Sequence, residues 1–327
     1  MTLPKRSCMK VTGLALACSS LLFSCAPKEV PQVNLIPKPA HIEVTGGYFK
    51  VDSNLVFGND QSGTIRYVVD ESFNGGNPEG YALNVTKKGI ELRAASKSGL
   101  FYGEQTLRQL YTSKGIPCVS IQDNPRFPYR GLHLDVSRHF FPKEEVMKLL
   151  NVMSYKLNNL HLHLTDAGGW RIQMDKYPKL TTDVAFRTES DWQKWWDGKD
   201  RKYLPEGTPG AYGGYFTKED IREIVDYATA RHINIIPEIE FPGHSDEVFV
   251  AYPELSCAGK PYTTGDFCIG NEKSFTFMED VLSEVIELFP SEYIHIGGDE
   301  AGKGAWKTCP KCQGLMRRNG MKDVDEL

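Results

Sequence analysis

From residue 131 onward the chain alternates between strand-like and helix-like segments, and this alternation restricts the fold more than any other feature. Four short apolar segments have the pattern of strands: "RGLHLDV", "NLHLHLTD", "INIIPEIE" and "YIHIGG". Helix-like segments separate them, beginning near Pro142, over 217–231 and over 274–289. Thr217 with Asp220 also resembles a capping box. Strands that alternate with helices favour a parallel sheet with right-handed crossovers.

No glycine-rich phosphate-binding turn follows the first strand, which disfavours a dinucleotide-binding fold. We therefore predict an α/β fold, a (β/α)8 TIM barrel. A complete barrel has eight βα units in about 250 residues, whereas only about four units are recognisable before the sequence ends at "MKDVDEL". We expect residues 126–327 to form the N-terminal half of such a barrel.

Residues 26–125 have a different pattern and predict a small α+β domain. Short β-like segments ("HIEV", "YALNVT", "GIELRA") are separated by turn residues, with one helical segment over 98–110. "DNPRFPYR" (123–130) has two prolines and is typical of a linker.

The first 25 residues have the order of an export signal. Lys5, Arg6 and Lys10 precede an apolar stretch over 11–23, which is too short to span a bilayer. The sequence Leu22-Phe23-Ser24-Cys25 resembles the lipobox of bacterial lipoproteins. We expect a lipoprotein signal peptide over 1–25, lipidation of Cys25, and a protein anchored to the membrane in the cell envelope; ordinary signal cleavage with an incidental Cys25 is the alternative.

Four of the 8 cysteines lie near the C-terminus as two pairs, Cys257 with Cys268 and Cys309 with Cys312. In an oxidising envelope, disulfides are plausible for both pairs. A zinc site at Cys309-Pro-Lys-Cys312 would need two further ligands, and no second C-x-x-C occurs. We therefore expect structural roles and no metal. The net charge of −4 leaves no general basic surface, so nucleic acid is not an expected partner.

Titratable side chains collect where each predicted barrel strand ends, the edge at which TIM barrels carry their active sites. The four strand ends supply, in order, Asp135 with Arg138; Asp166; Glu238 and Glu240 with His244; and Asp299 with Glu300. Loops are polar in general, but all four strand ends deliver such groups, which favours a functional site.

Many carboxylates with one arginine and one histidine suggest acid–base chemistry on a sugar. Asp299 and Glu300 are adjacent, so they cannot flank a glycosidic bond as the usual carboxylate pair does at about 5 Å or more. If one is the acid while the other holds the substrate, the arrangement suits substrate-assisted hydrolysis, in which the sugar's own 2-acetamido oxygen attacks the anomeric carbon.

Five ordered motifs carry a family resemblance: "RGLHLDVSRHFFP", "KLNNLHLHLTDAGGWRI", "YPKL", "PEIEFPGHS" and "HIGGDE". Together they resemble glycoside hydrolase family 20, the β-N-acetylhexosaminidases, and the preceding small domain resembles the N-terminal domain of that family. The resemblance implies exo-acting, retaining hydrolysis of terminal GlcNAc or GalNAc from a glycan, without a cofactor.

By the same resemblance, Glu300 would be the general acid and then the base, Asp299 would bind the acetamido nitrogen, and Arg138 would bind sugar hydroxyls. Asp166 and His244 resemble a network that supports the acid, with His244 titrating near neutral pH.

The family pattern differs from this sequence at two positions. Glu240 stands where the family commonly has Asp, and Ala167 stands where it often has a second acid. The family's aromatic walls around the acetamido group belong to later strands than the four recognised here.

Two other functions remain as alternatives. His161 and His163 share one strand face and suggest a metal-dependent TIM-barrel hydrolase, although core histidines bonded to their neighbours are the simpler interpretation. A non-catalytic glycan-binding lipoprotein would keep the pocket without needing an acid. In the loop over 191–216, Trp192, Trp195 and Trp196 form either a sugar platform or a surface loop that packs on itself.

Overall fold

The computed structural model describes residues 30–51, 57 and 63–327. The predicted signal peptide, including Cys25, lies outside these residues. Across the described ranges, none of the helices is both long and apolar enough to cross a bilayer.

The described residues between 41 and 123 form a five-stranded sheet with one α-helix. The sheet has the order β1-β5-β3-β4-β2, and its pairs are antiparallel except β2 with β4. In chain order the elements are β1 (His41–Phe49), β2 (Ile65–Val69), β3 (Tyr81–Thr86), β4 (Gly89–Ala94), α1 (Lys97–Leu110) and β5 (Ile116–Asp123). The predicted helix is thus confirmed with one more residue at its start, where the Ser96 hydroxyl accepts a hydrogen bond from the Ser98 N–H at 3.0 Å.

Helix α1 lies unusually close to this sheet. Its buried residues include Leu107 and Leu110, which join a core with Leu83 and Leu92. A Cβ placed on Gly103 would lie only 2.3 Å from Leu92 Cδ1, so any larger residue would force the Leu92 side chain to shift.

The second half of the chain has the predicted alternation of strands and helices. In order it contains β6 (Gly131–Asp135), α2 (Lys143–Met153), β7 (Asn159–His163), α3 (Lys179–Thr182), β8 (Phe186–Arg187), α4 (Trp192–Asp197), β9 (Tyr203–Leu204), β10 (Tyr212–Gly213), α5 (Lys218–Thr229), β11 (Asn234–Glu238), α6 (Asp246–Ala251), α7 (Glu272–Leu288) and α8 (Pro310–Asn319). β6, β7 and β11 form a parallel sheet in the order β11-β7-β6. In its register Asp135 pairs with His163 and His163 with Glu238, so the carboxyl ends of the three strands are level.

The fourth predicted strand is present only as a bridge. His295 pairs in parallel with Glu238, and its N–H donates to the Pro237 carbonyl at 3.0 Å. The Phe241 N–H donates to the Ile296 carbonyl at 2.9 Å, after which Gly297 and Gly298 turn the chain with φ of 64° and 100°. The segment lies beside β11 as expected, but this short register does not extend into a ladder.

Helices α2, α5 and α7 bury one face each against the parallel sheet. Val146, Leu150 and Met153 line that face of α2, with the spacing of successive helical turns. The predicted capping box is present at the start of α5, where the Thr217 hydroxyl and the Asp220 carboxylate each accept from the other's backbone N–H.

Two buried arginines hold the long connection between β7 and α5. Arg171 and Arg187 are both fully buried, and their guanidinium groups donate to backbone carbonyls rather than to carboxylates. Both donate to the Gly168 carbonyl at 3.0 Å, and Arg187 also donates to the Arg138 carbonyl at 2.8 Å. Burial lowers the pKa of Arg171 to about 9. These contacts fix the backbone on which Arg138 is carried.

Ion pairs connect the small sheet to the parallel sheet. Arg130 donates to both oxygens of Glu79 at 2.8 and 3.1 Å, the bidentate geometry that makes such pairs strong. Lys156 donates to the Asp123 carboxylate at 3.1 Å and to the Tyr81 hydroxyl at 2.9 Å.

Candidate active site

Arg138 and Asp166 form the base of a polar site at the carboxyl ends of the strands. The guanidinium of Arg138 lies between two carboxylates, with Nη1 2.7 Å from Asp135 and Nη2 2.6 Å from Asp166. Asp135 also accepts from the Ser137 and Arg138 N–H groups at 2.9 Å each, which fixes the turn after β6. Asp166 is almost fully buried, and the Arg138 guanidinium supplies the opposite charge that a buried carboxylate needs.

His244 connects Asp166 to the two adjacent acids. Its Nδ1 lies 3.4 Å from Asp166 Oδ2, while its Nε2 lies 3.4 Å from Glu300 Oε2 and 3.9 Å from Asp299 Oδ2. The structure therefore brings five of the predicted site residues into one line of contacts: Arg138, Asp166, His244, Asp299 and Glu300. Of these, Asp299 and Glu300 are the exposed members, with side chains 71% and 79% accessible.

The charge of His244 differs from the sequence-based expectation. Its interaction with Asp166 raises the pKa of His244 to about 9, and the carboxylates of Glu240 and Asp299 add to this, although partial burial opposes it. The prediction that His244 titrates near neutral pH is therefore corrected, because an almost buried carboxylate faces its Nδ1. At pH 7 the imidazole is positively charged.

Glu240 lies beneath the turn rather than in the line of contacts. Its carboxylate is buried and lies 3.1 Å from His163 Nε2, and its N–H donates to the Thr165 hydroxyl at 2.9 Å. A Cβ on Gly297 would lie 1.8 Å from Glu240 Oε2, so the glycine makes room for this carboxylate. Burial alone would lower the pKa of His163, but Glu240 and the other nearby carboxylates raise it above its ordinary value. Glu240 and His163 thus compensate each other's charge under the turn that leads to Glu300.

Backbone strain concentrates at the same place. Glu300 and His244 both have a left-handed backbone, each with φ of 50°. Such conformations cost about 1–3 kcal/mol in a residue other than glycine and persist where surrounding contacts impose them. Asp266 holds the turn just after Glu300, since its carboxylate accepts from the N–H groups of Gly302 and Lys303 at 3.1 Å each.

The two histidines of the metal-dependent alternative do not converge on one point. His161 Nε2 lies 2.8 Å from Glu238, whereas His163 Nε2 lies 3.1 Å from Glu240. His295 also contacts Glu238, at 2.7 Å. Burial alone would raise the pKa of Glu238, but the surrounding histidines lower it to about 2. Among the described residues, no group of potential metal ligands contains both His161 and His163.

The three tryptophans of the loop over 191–216 lie in different surroundings. Trp195 is buried and donates to the Lys202 carbonyl at 3.2 Å, so it packs within the loop. Trp196 is exposed and lies against Arg201, 4.4 Å from its guanidinium carbon to the ring centre. Trp192 is the one nearest the site, with its ring centre 5.9 Å from the guanidinium carbon of Arg138.

Two residues that shape this site gave no clear indication in the sequence. Arg187 looks like an ordinary polar residue at the end of the short strand β8, yet it is buried beneath Arg138. Glu247 sits in the first turn of α6, where acids are usually solvated. Here it is fully buried, and neither carboxylate oxygen has a hydrogen-bond partner among the other described residues. Burial, followed by the charge of Asp166, raises the pKa of Glu247 well above its ordinary value.

The cysteine prediction is corrected by the structure. None of the five cysteines that the structure describes beyond residue 30 forms a disulfide. Cys257, Cys268, Cys309 and Cys312 do not lie as two separate pairs but have their sulfur atoms together in one cluster. Spacing along the chain did not predict this cluster, because a loop brings Cys257 and Cys268 together from 11 residues apart.

Comparison with known proteins decides the family. The catalytic domain of glycosyl hydrolase family 20 matches residues 127–327, and domain 2 of the same family matches residues 57–124. The chain belongs to glycosyl hydrolase family 20. It is 34% identical to a β-hexosaminidase of Porphyromonas gingivalis over 96% of this chain and 46% of the relative. It is 35% identical to a β-hexosaminidase of Akkermansia muciniphila over 94% of this chain and 59% of the relative. The chain thus spans about half the length of these relatives.

Solved structures of the family have the same fold. An exo-β-N-acetylglucosaminidase of Vibrio harveyi, crystallised with N-acetylglucosamine, superposes with a TM-score of 0.76 at 33% identity, over 89% of this chain and 50% of that one. A β-N-acetylhexosaminidase of Bacteroides fragilis superposes with a TM-score of 0.73 at 29% identity, over 90% of this chain and 61% of that one. The predicted α/β TIM-barrel fold, present here as its first units after a small α+β domain, is confirmed.

Proposed function

We propose that this family 20 chain carries the acid–base and substrate-orienting groups of an exo-acting β-N-acetylhexosaminidase, which removes terminal GlcNAc or GalNAc with retention. The observation that carries the proposal is the line of contacts from Asp166 through His244 to Glu300, with Asp299 beside Glu300. The names of the relatives and the N-acetylglucosamine bound to the Vibrio harveyi enzyme support the substrate class.

The first step breaks the glycosidic bond. Protonated Glu300 donates its proton to the glycosidic oxygen as the bond from that oxygen to C1 breaks, and the substrate's acetamido oxygen forms a bond to C1. The product is an oxazolinium ion, whose N–H and positive charge Asp299 stabilises. The imidazolium of His244, 3.4 Å from Glu300, stabilises the carboxylate that Glu300 becomes. Asp166 keeps that imidazolium charged.

The second step restores the enzyme. The Glu300 carboxylate takes a proton from water while the water oxygen attacks C1 and the bond to the acetamido oxygen breaks. Glu300 ends protonated, and two inversions at C1 give retention. The adjacency of Asp299 and Glu300 suits this scheme, because the internal nucleophile belongs to the substrate and no second carboxylate on the far side of C1 is needed.

The test is hydrolysis of 4-nitrophenyl β-N-acetylglucosaminide and of chitobiose by the 327-residue chain and by a form that continues through eight βα units. In an active form, Glu300→Gln should lower kcat by about 10²–10⁴-fold on chitobiose. The loss should be smaller on the nitrophenyl substrate, whose leaving group needs little protonation. Asp299→Asn should lower both rates similarly, since it acts on the acetamido group common to both.

Glu292→Gln provides a matched control, because this acid is exposed and lies outside the site. It should leave both rates unchanged. A folded eight-unit form that binds N-acetylhexosamine without hydrolysing either substrate would refute the enzyme proposal and support the glycan-binding alternative.

We also propose that the protein is exported and anchored in the cell envelope through lipidated Cys25. The support is the sequence order of basic residues, apolar stretch and Leu-Phe-Ser-Cys over 5–25. Mass spectrometry of the N-terminal peptide should find acylated Cys25 at the mature N-terminus. An unmodified N-terminus created by cleavage at another position would contradict the anchor.

A further inference from the structure

Four cysteine side chains from two distant segments meet behind the turn that carries Glu300. Cys257 and Cys268 bracket the loop that precedes α7, while Cys309 and Cys312 begin α8. The sulfur of Cys268 lies 3.6 Å from that of Cys309 and 3.8 Å from that of Cys312, and Cys312 lies 3.7 Å from Cys257. All four sulfur atoms lie within 4.8 Å of one another.

These separations fit a tetrahedral metal site. Zinc binds thiolate sulfur at about 2.3 Å, so the sulfur atoms of a tetrahedral four-cysteine site lie about 3.8 Å apart. The three measured separations are 3.6, 3.7 and 3.8 Å. Two disulfides would instead divide the group into two bonded pairs. The observed contacts run from Cys257 through Cys312 and Cys268 to Cys309, so they cross between the pairs expected from sequence.

Helix and backbone dipoles beside the cluster suit thiolate ligands, although burial of the sulfur atoms opposes their charge. Cys268, Cys309 and Cys312 are buried, and Cys257 is partly buried. Cys309 is the N-cap of the ten-residue helix α8, whose N-terminal partial positive charge stabilises negative groups. The Gly270 N–H donates to Cys312 Sγ at 3.4 Å, a second-layer contact of the kind that orients metal ligands.

The two segments are shaped to approach each other. A Cβ on Gly270 would lie 2.1 Å from the Lys311 carbonyl carbon and 2.2 Å from the Cys312 nitrogen, so the loop backbone lies directly against the first turn of α8. The bridge between Ser256 and Phe267, with the Cys268 N–H donating to the Leu255 carbonyl at 2.8 Å, closes the loop. This closure brings the sulfur atoms of Cys257 and Cys268 to the side of the loop that faces Cys309 and Cys312.

We propose that these four cysteines bind one Zn²⁺ in a structural site. Each thiol releases its proton to solvent as its sulfur binds the metal, and the four protein ligands leave no position for substrate or water. Zinc also suits a tetrahedral set of sulfur ligands.

The proposed site would hold the turn that follows Glu300. The loop between the cysteines contains Asp266, which accepts from the Gly302 and Lys303 N–H groups, and Phe267, whose carbonyl accepts from Trp306 Nε1 at 2.9 Å. A metal joining this loop to α8 would therefore fix both ends of the segment over 302–309. Its effect on catalysis rests on the proposed function, whereas metal binding itself does not.

The test is the metal content of the whole chain, purified without chelator and under reducing conditions, by elemental mass spectrometry. We expect one zinc per chain. Cys268→Ser and Cys312→Ser should each lower the zinc content severalfold, whereas Cys118→Ser should retain it. Cys118 is the matched control because it is a buried cysteine in strand β5, outside the cluster.

A second measurement uses the wild-type chain alone, so its result does not depend on whether a cysteine variant folds. Replacing the metal with Co²⁺ in the wild-type chain should give the intense visible bands of tetrahedral cobalt and the near-ultraviolet thiolate-to-cobalt charge-transfer band. The proposal would be overturned if the folded wild-type chain, with all four thiols of the cluster reactive, bound neither zinc nor cobalt. Intact-mass evidence for two disulfides in the protein isolated from its own compartment, or stoichiometric iron in place of zinc, would also overturn it. Zinc in a chain that hydrolyses nothing would leave this inference standing while the proposed activity failed.

Discussion

Replacing Asp166 with asparagine should lower the pKa of His244. The pKa of about 9, against an ordinary value of 6.5, corresponds to about 3 kcal/mol of preference for the charged imidazole, since each pH unit is worth about 1.36 kcal/mol. Asp166 is the main cause, and Glu240 and Asp299 contribute less. We therefore expect Asp166→Asn to lower the pKa by roughly 1–2 pH units, because the neutral amide keeps the shape but removes the buried charge.

The same shift predicts how stability depends on pH. A histidine whose pKa is raised on folding contributes its full stabilisation below the unfolded pKa, near 6.5, and loses it as the pH rises through about 9. The wild-type chain should therefore lose free energy of unfolding between these values through this group. The Asp166→Asn variant should lose less over the same interval, although the substitution also removes one partner of Arg138.

The assay is NMR titration of the imidazole resonances, with His244→Gln to assign the signal and urea unfolding at pH 6.5 and 9 for stability. Asp135→Asn is the matched control. It removes a carboxylate from the same arginine, but among the described contacts Asp135 is not a partner of His244. A His244 midpoint that stays the same in Asp166→Asn, or falls equally in Asp135→Asn, would refute the assignment of the shift to Asp166.

Two further predictions concern stability away from the reaction. The pKa of Glu247 is raised in the folded chain, so the wild type should lose stability relative to Glu247→Gln as the pH rises above about 4.5. Parallel pH profiles in urea unfolding would contradict this. Gly103→Ala should destabilise by about 1–3 kcal/mol, because the new Cβ would lie 2.3 Å from Leu92, although alanine favours helices by about 1 kcal/mol. A Cβ on Gly314, in α8, would have no neighbour nearer than 3.5 Å, so Gly314→Ala should instead be neutral or stabilising. Equal thermal shifts for the two variants would show that helix propensity dominates.

The sequence was sufficient where local chemistry determines local structure. The capping residues Thr217 and Asp220 predicted the start of α5, and a proline was expected at the start of α2, where Pro142 is the N-cap. The alternation of strands and helices predicted that Arg138 and Asp166 would meet, because parallel strands align their carboxyl ends. The order of the elements and the direction of the strands are enough to place these two residues together.

It was insufficient where long-range packing sets the environment. The pattern of residues does not reveal that Glu247 is buried without a partner, since acids in the first turn of a helix are usually solvated. The cysteines were read by spacing along the chain, yet Cys268 and Cys312 are 44 residues apart and their sulfur atoms lie 3.8 Å apart. The pKa of His244 likewise depends on how deeply Asp166 is buried, which spacing cannot express.

The orientation of the proposed acid depends most on the part of the chain with the weakest pattern. Strand order brings Glu300 to the rim, but its angle toward His244 follows from left-handed backbones at both residues. Each such conformation costs about 1–3 kcal/mol, so it must be imposed by contacts outside the strand. The nearest such contacts come from Asp266, which accepts from the N–H groups of Gly302 and Lys303 and lies in the loop between Cys257 and Cys268. We therefore expect this segment, which has no regular secondary structure, to determine whether the proposed proton donor is aligned.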